Sequence, residues 1–172
     1  MKQLWAPWRM NYIHQISREE GCVFCLKIRE DDLRQALVLA NTGHSLVMLN
    51  KYPYANGHLL LAPKRHEKHL SGLSVDEYSD LNEALRRCID ILQHSYNPGG
   101  INLGMNLGKC AGAGIEDHLH WHVVPRWDGD VNFMPVLSET RVMPQHLLES
   151  YDKLRPHFQN FSHETTRPSR ED

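Results

Sequence analysis

The stretch that decides the fold is His118-Leu119-His120-Trp121-His122-Val123-Val124, in which histidines alternate with apolar residues. Strict alternation predicts a β-strand, because successive side chains of a strand point to opposite faces. The three imidazoles then share one face, and the apolar side chains share the other face, which we expect to pack on the core. A row of imidazoles contributes nothing to packing, so the pattern indicates a functional face.

Three interpretations of this face compete. It is a solvated surface, a zinc site in which alternating imidazoles bind one ion, or a catalytic site in which one imidazole attacks and its neighbours orient it and handle protons. The loop Gly108-Lys109-Cys110-Ala111-Gly112-Ala113-Gly114 lies directly upstream. Its small residues let backbone N–H groups approach an anion, which favours chemistry on a phosphate. Asn106, just before the loop, is a candidate donor to a phosphate oxygen.

The remaining strands are predicted from short apolar runs. Residues 36–40 and 45–50 are separated by Asn41-Thr42-Gly43, which is typical of a hairpin. Residues 58–63 and 101–107 predict two further strands, and residues 118–124 complete the set. Short links between the first three strands favour an antiparallel sheet.

One long helix is predicted from Ser74 to about residue 95. Ser74 is a candidate N-cap, and Glu77 three residues later completes a capping box. The buried stripe consists of Leu81, Leu85, Cys88 and Leu92. A shorter helix is predicted over residues 144–158. The sequence therefore predicts an α+β fold with an antiparallel sheet of about five strands, one long helix and a shorter C-terminal helix.

Composition excludes several classes of protein. The 172 residues suit one domain, and the 19 basic and 21 acidic residues argue against a binder of nucleic acid polymers or membrane surfaces. There is no run of 18 apolar residues and no signal-peptide pattern at the N-terminus, so we expect a cytoplasmic protein. Of the four cysteines, only Cys22 and Cys25 lie close together. That spacing favours a metal or redox pair over a disulfide framework.

The histidine stretch resembles the histidine triad motif, His-φ-His-φ-His-φ-φ, where φ is apolar. Asn56-Gly57-His58-Leu59-Leu60-Leu61-Ala62-Pro63-Lys64-Arg65-His66 resembles the family's preceding strand and its Pro-Lys-x-His ending. The resemblance covers roughly residues 22–127. Segments 4–9 and 125–133 resemble the bacterial branch that acts on diadenosine tetraphosphate. The loop between Asn106 and His118 is one residue longer than in the better-known hydrolases of the family.

The resemblance implies a mechanism. His120 attacks an α-phosphorus and forms a covalent nucleotidyl-imidazole, which water or inorganic phosphate then breaks. His122 assists the leaving oxygen, His118 orients His120 or holds a metal, and His58 supports the triad through hydrogen bonds. Two alternatives stay open. One is a nucleotide-binding regulatory protein with little turnover, and the other is a zinc hydrolase that uses the three histidines as ligands.

The resemblance also implies binding residues. A nucleotide or dinucleoside polyphosphate would be held by Asn50, Asn106, Gly112, Ala113, Gly114 and His122. The Cys22/Cys25 pair alone is compatible with a redox pair, a zinc half-site or two unrelated thiols. In some members of the family, and in the related galactose-1-phosphate uridylyltransferases, such a pair binds zinc with two histidines. The matching positions here are His66 and His118, and four such ligands would make the zinc structural. His69, one helical turn from His66, is the alternative ligand.

The predicted organisation has three parts. Residues 1–21 form an N-terminal arm, residues 22–135 a histidine triad (HIT) domain, and residues 136–172 a C-terminal helix and polar tail. Family members dimerise, so a homodimer is expected. The aromatic arm packs either on the partner subunit or on its own domain.

Overall fold

The structure is a computed structural model that describes residues 21–130, 145–159 and 161. Within these residues, five strands form one antiparallel sheet, as predicted. They are β1 (Val38–Asn41), β2 (Ser45–Leu49), β3 (Leu59–Pro63), β4 (Gly100–Gly104) and β5 (Trp121–Arg126). Their order across the sheet is β1-β2-β3-β5-β4. The two last strands therefore exchange places relative to chain order, which puts the histidine-bearing β5 beside β3.

In the described ranges, three α-helices accompany the sheet: α1 (Val23–Ile28), α2 (Val75–Tyr96) and α3 (Leu147–Leu154). Helix α2 begins with the predicted capping box, in which the Ser74 hydroxyl accepts from the Glu77 N–H and the Glu77 carboxylate accepts from the Ser74 N–H. The predicted C-terminal helix is α3 followed by a short 3-10 turn, Arg155–Phe158. Position 144, where we expected it to start, lies outside the described residues. No helix in the described ranges is both long and apolar enough to cross a bilayer.

Strands β1, β2 and β3 are buried, and each face of the sheet has its own apolar cluster. Alternate residues of β3 explain this, because Leu59 and Leu61 join the cluster under α2 and α3, whereas Leu60 and Ala62 join the cluster under α1. Phe24 of α1 is fully buried in the second cluster. Helix α1, which carries Cys25 and is directly preceded by Cys22, is thereby held against the sheet beside the histidines.

The two edges of the sheet differ. The outer edge of β1 is covered, because the Tyr151 hydroxyl donates to the Val38 carbonyl at 3.1 Å and Arg155 donates to the Leu39 carbonyl at 3.0 Å. Strand β4 forms the other edge, and no described element pairs with its outer side. Leu103 on this strand is 46% exposed. An open edge with an exposed apolar side chain is a surface that proteins usually cover.

Some predicted strand bounds were wrong. The first strand starts at Val38 rather than at residue 36, because Leu37 adopts a left-handed φ of 62°. The histidine strand starts at Trp121 rather than His118. The preceding residues bond elsewhere, since the Leu119 N–H donates to the Glu67 carbonyl at 2.7 Å. The predicted fourth strand ends at Gly104 instead of continuing to residue 107. The predicted arm, apart from Gly21, and the tail after residue 161 lie outside the described residues.

Candidate active site and metal cluster

The predicted histidines lie together on one side of the sheet. His58, directly before β3, packs on His122 of β5, with ring centroids 5.2 Å apart. His122 in turn packs on His120, with centroids 5.0 Å apart. His118 precedes them, and its backbone carbonyl accepts a hydrogen bond from His120. Three of the four are buried from solvent, and His122 is partly exposed.

Hydrogen bonds assign the protons on His58 and His122. The backbone N–H of Tyr54 donates to Nδ1 of His58 at 3.0 Å, so this nitrogen carries a lone pair and Nε2 carries the proton. Nε2 of His58 lies 3.0 Å from Nδ1 of His122, which must then be the acceptor. The proton of His122 is therefore on Nε2. Burial lowers the pKa of His122 to about 4, so this imidazole is neutral at physiological pH.

His120 has the opposite arrangement. Its Nδ1 lies 2.9 Å from the carbonyl oxygen of His118, an atom that can only accept, so Nδ1 carries the proton. Nε2 of His120 then carries the lone pair. Burial lowers the pKa of this imidazole, and the hydrogen bond to the carbonyl raises it in part. A neutral imidazole with a lone pair thus lies beside a neutral imidazole with an N–H donor.

His118 belongs to a second group. Its Nε2 donates to the Pro63 carbonyl at 2.8 Å, which leaves the lone pair on Nδ1. That Nδ1 lies 3.1 Å from Sγ of Cys22 and 3.7 Å from Sγ of Cys25. Nδ1 of His66 lies 3.4 Å from Sγ of Cys25. The four ligand atoms all lie within 4.8 Å of one another.

This group has the chemistry and spacing of a zinc site. Tetrahedral zinc with Zn–S near 2.3 Å and Zn–N near 2.0–2.1 Å places sulfur and nitrogen ligands about 3.6 Å apart. Three of the four sulfur–nitrogen separations, at 3.1, 3.4 and 3.7 Å, lie close to that value. The backbone carbonyl on Nε2 of His118 is the usual partner for a metal-binding histidine. His69 is not part of the group, and of the triad only His118 is.

The predicted substrate-binding residues are divided between two cavities. Asn50, Ala113 and Gly114 line a cavity of about 480 Å³ that also borders Cys22 and His66. Asn106 lines a neighbouring cavity of about 840 Å³. Asn50 also contacts His58, with its amide nitrogen 3.4 Å from Nδ1 of the ring, so the smaller cavity adjoins the histidine cluster.

The glycine-rich loop is closed on itself in this structure. The N–H groups of Gly112 and Ala113 donate to carbonyls of residues 109 and 108, and Asn106 donates to the Gly112 carbonyl. Gly112 lines neither cavity. A role for these two N–H groups in holding phosphate stays a prediction, and it requires the turn to open.

A family model described as the HIT domain matches residues 33–129, more than half of the chain. The chain belongs to the HIT family. AP-4-A phosphorylase of Mycobacterium tuberculosis is 34% identical over 157 residues, which are 87% of this chain and 80% of that protein. Bis(5'-adenosyl)-triphosphatase of Dictyostelium discoideum is 32% identical over 55% of this chain and 62% of its own length.

A solved HIT structure is similar over most of the fold. The Zn-bound histidine triad family protein of Mycobacterium smegmatis superposes with a TM-score of 0.64 at 26% identity. The match covers 82% of this chain and 95% of that protein. Together with the Cys22, Cys25, His66 and His118 group, this similarity supports zinc binding in this HIT protein.

Sequence reasoning missed three partners of the HIT histidines. They are the backbone N–H of Tyr54, the carbonyl of Pro63, and Phe24, whose ring lies 5.0 Å from His118 and 4.9 Å from His120. The two backbone groups leave no mark on residue type, so no sequence pattern could reveal them. Phe24 had a signal, because it stands between the two cysteines that the metal site brings to His118.

Proposed function

We propose that this chain is a nucleotidyl-transfer enzyme that cleaves dinucleoside polyphosphates, such as diadenosine tetraphosphate, at an α-phosphate through a covalent nucleotidyl-His120. One observation carries the proposal: the lone pair on Nε2 of His120 lies beside His122, whose Nε2 proton is assigned by His58. A nucleophile and a hydrogen-bond donor are the two groups that displacement at phosphorus needs. The names of the mycobacterial phosphorylase and the Dictyostelium triphosphatase support the substrate class.

The first step forms a P–N bond between Nε2 of His120 and the α-phosphorus and breaks the bond from that phosphorus to the bridging oxygen. The bridging oxygen leaves with its electron pair and accepts a hydrogen bond from Nε2 of His122. In the second step the oxygen of water or of inorganic phosphate attacks the same phosphorus. The P–N bond breaks, the electron pair returns to Nε2 of His120, and an attacking water releases one proton to solvent.

The smaller cavity is the proposed site of the transferred nucleotide. Asn50 links it to the histidines through His58, and Ala113 and Gly114 are close enough to approach a phosphate. Asn106 and Gly112 are proposed to contact phosphate once the loop opens. His122 contacts the substrate at the scissile bridge.

Zinc is proposed to be structural, held by Cys22, Cys25, His66 and His118. Bound there, it would join α1 to the segment before β5 and hold the His118 ring, whose backbone carbonyl fixes the tautomer of His120. Four protein ligands complete a tetrahedral shell and leave no position for a reacting water. The alternative in which all three triad histidines bind zinc is disfavoured, because the lone pair of His118 faces Cys22 whereas that of His122 accepts from His58.

The proposed homodimer is supported by the open edge of the sheet. Leu103 is exposed on β4, and Leu107 is exposed in the segment that follows it. Val75 and Tyr78 are exposed at the start of α2. Leu107, Val75 and Tyr78 line the same cavity of about 840 Å³. We call these four residues the β4-side apolar surface. An apolar surface beside an unpaired strand is typical of a subunit interface.

The decisive experiment is product analysis with diadenosine tetraphosphate, with and without inorganic phosphate. AMP with ATP indicates hydrolysis, and ADP with ATP indicates phosphorolysis.

His120→Ala should abolish cleavage while retaining nucleotide binding, and His94→Ala, at an exposed position on α2, is the matched control. Radiolabelled substrate should leave an acid-labile adduct on the wild-type chain only. Cleavage by His120→Ala at the wild-type rate would refute covalent catalysis, and binding without turnover would indicate a regulatory protein.

A further inference from the structure

Cys22 and Cys25 are spaced for a disulfide as well as for a metal ion. The Cys22 carbonyl accepts from the Leu26 N–H at 3.0 Å, so Cys22 is held to the first turn of α1, which contains Cys25. Three residues of helix separate two Cα atoms by about 5 Å. Disulfides span Cα separations of about 4.4–6.8 Å, and the two Sγ atoms lie within 4.8 Å of each other. The pair can therefore bond without a rearrangement of the backbone.

The other two cysteines do not have this arrangement. Cys88 is fully buried in the apolar cluster under α2, and Cys110 is exposed in the glycine-rich loop, outside the metal cluster. Cys22 and Cys25 are both partly exposed. An oxidised thiol beside a second thiol becomes a disulfide, which reductants reverse, whereas an isolated thiol can be oxidised further to acids that they do not reverse.

One thiol of the pair opens onto the cavity of about 480 Å³. Cys22 lines this cavity together with Asn50 and His66, whereas Cys25 does not. The same cavity is the proposed site of the transferred nucleotide. A nucleotide bound there would lie between Cys22 and solvent, so access to the pair should depend on whether the cavity is filled.

The pair is linked to the triad through His118. Nδ1 of His118 lies 3.1 Å from Sγ of Cys22 and 3.7 Å from Sγ of Cys25. The backbone carbonyl of His118 accepts the hydrogen bond that fixes the tautomer of His120. A disulfide removes two of the four proposed zinc ligands. The His118 ring then loses its anchor, and His120 loses the support of its nucleophilic tautomer.

We propose that Cys22 and Cys25 are a reversible oxidation site, through which a peroxide inactivates the enzyme while its nucleotide cavity is empty. The Cys22 thiolate attacks one oxygen of hydrogen peroxide, the O–O bond breaks and hydroxide leaves. The Cys25 thiolate then attacks the resulting sulfenic sulfur, the S–S bond forms and a second hydroxide leaves. The dependence on nucleotide rests on the function proposed above, whereas the oxidation does not.

The test uses the full chain with Cys110→Ser, in which the pair and the buried Cys88 are the remaining thiols. Hydrogen peroxide is added to the zinc-loaded protein with and without AMP at about ten times its dissociation constant, with sodium chloride of equal ionic strength as the control for AMP. Intact mass, release of zinc to a chromogenic chelator and Tm are followed. Cys25→Ser in the same background cannot form the disulfide.

The empty protein should lose the mass of two hydrogen atoms and release about one zinc ion for each disulfide, with a fall in Tm. Reductant and zinc should reverse all three changes. AMP at that concentration leaves about a tenth of the chains empty, so oxidation should slow about tenfold. Cys25→Ser should gain oxygen instead of losing hydrogen. Cleavage of diadenosine tetraphosphate should fall in parallel with disulfide formation.

Zinc that stays bound in peroxide, or oxygen addition in place of the disulfide in the Cys110→Ser protein, would overturn the oxidation site and leave the proposed function in place. Oxidation at the same rate with AMP bound would overturn the control by the cavity. A protein that neither binds AMP nor cleaves diadenosine tetraphosphate would refute the proposed function, and disulfide formation in it would still support the oxidation site.

Discussion

Nε2 of His58 donates a hydrogen bond to Nδ1 of His122 at 3.0 Å, and the backbone N–H of Tyr54 fixes the direction of that bond from the far side of the ring. A loop and two strands thereby decide which nitrogen of His122 carries the proton. In the proposed mechanism, His58 does not contact the substrate. It orients His122, the proposed donor to the leaving oxygen, and so is proposed to be a positioning residue.

Replacing His58 with Leu should therefore lower kcat about 100-fold with little change in KM, because the loss lies in assistance to the leaving oxygen. His58→Gln should restore part of the rate, since its amide can donate from near the position of Nε2. The loss should be smaller for the nitrophenyl ester of AMP, whose leaving group needs less assistance. If His58→Leu and His58→Gln lost kcat equally, and in proportion to their fall in Tm, the role of His58 would be merely structural.

The second prediction concerns zinc binding and its effect on thermal stability. Protein purified from zinc-replete cells should contain about one zinc ion per chain, and Cys25→Ser should lose most of it. Because binding energy at a structural zinc site is folding energy, Tm should fall by about 5–10 °C, as expected for a loss of about 3 kcal/mol in a chain of this size. Elemental analysis and thermal unfolding measure both effects.

Cys110→Ser is the control for this prediction, because Cys110 is exposed in the glycine-rich loop and lies outside the metal cluster. It should retain both zinc and Tm. Wild-type protein that contains no zinc, and whose Tm does not respond to a chelator, would contradict the structural site.

The sequence predicted much of this fold because the relevant patterns are local. The capping box of Ser74 and the alternation after His118 each depend on residue types a few positions apart. The strand order and the start of β5 were not predictable in the same way. They depend on bonds between distant segments, such as the one from Leu119 to the Glu67 carbonyl.

The same distinction between local patterns and contacts of distant segments applies to the candidate site. The histidines were recognisable from the motif, but their tautomers depend on backbone groups of Tyr54, Pro63 and His118 that any residue type would supply. The glycine-rich loop was the least predictable part. Its conformation depends on whether its N–H groups bond to the loop itself or to a ligand.

Arg65 and Glu77 give a third prediction, on acid stability. The guanidinium of Arg65 lies 2.8 Å from the Glu77 carboxylate and lowers the pKa of that carboxyl to about 2. In the unfolded chain the value is about 4.3. The folded-state pKa is thus depressed, so the stabilisation is fully present above about pH 4.3 and disappears as pH falls towards 2.

Glu77→Gln should keep the capping box through its amide oxygen, and it removes the charge together with one of the two acceptor oxygens that Arg65 uses. Urea unfolding should show the wild type to be more stable than this variant at pH 7, with a difference that shrinks below about pH 4.3. Glu83→Gln, an exposed position on the same helix, should show a smaller effect. A difference between wild type and Glu77→Gln that stays constant from pH 7 to pH 3 would contradict the assignment.

The β4-side apolar surface gives the last prediction. Leu103 is 46% exposed on the open edge of the sheet, whereas the other edge is covered by Tyr151 and Arg155. If a second copy covers β4, a charge at position 103 is buried without a partner in the dimer but stays solvated in the monomer. Leu103→Arg should then raise the dissociation constant of the dimer by at least about 100-fold, the effect of roughly 3 kcal/mol.

Light scattering across a dilution series should show a dimer for the wild type and for Leu26→Arg, which places the same charge at a 45% exposed leucine on α1. A Leu103→Arg protein that stays dimeric at the same concentrations would place the interface on another surface.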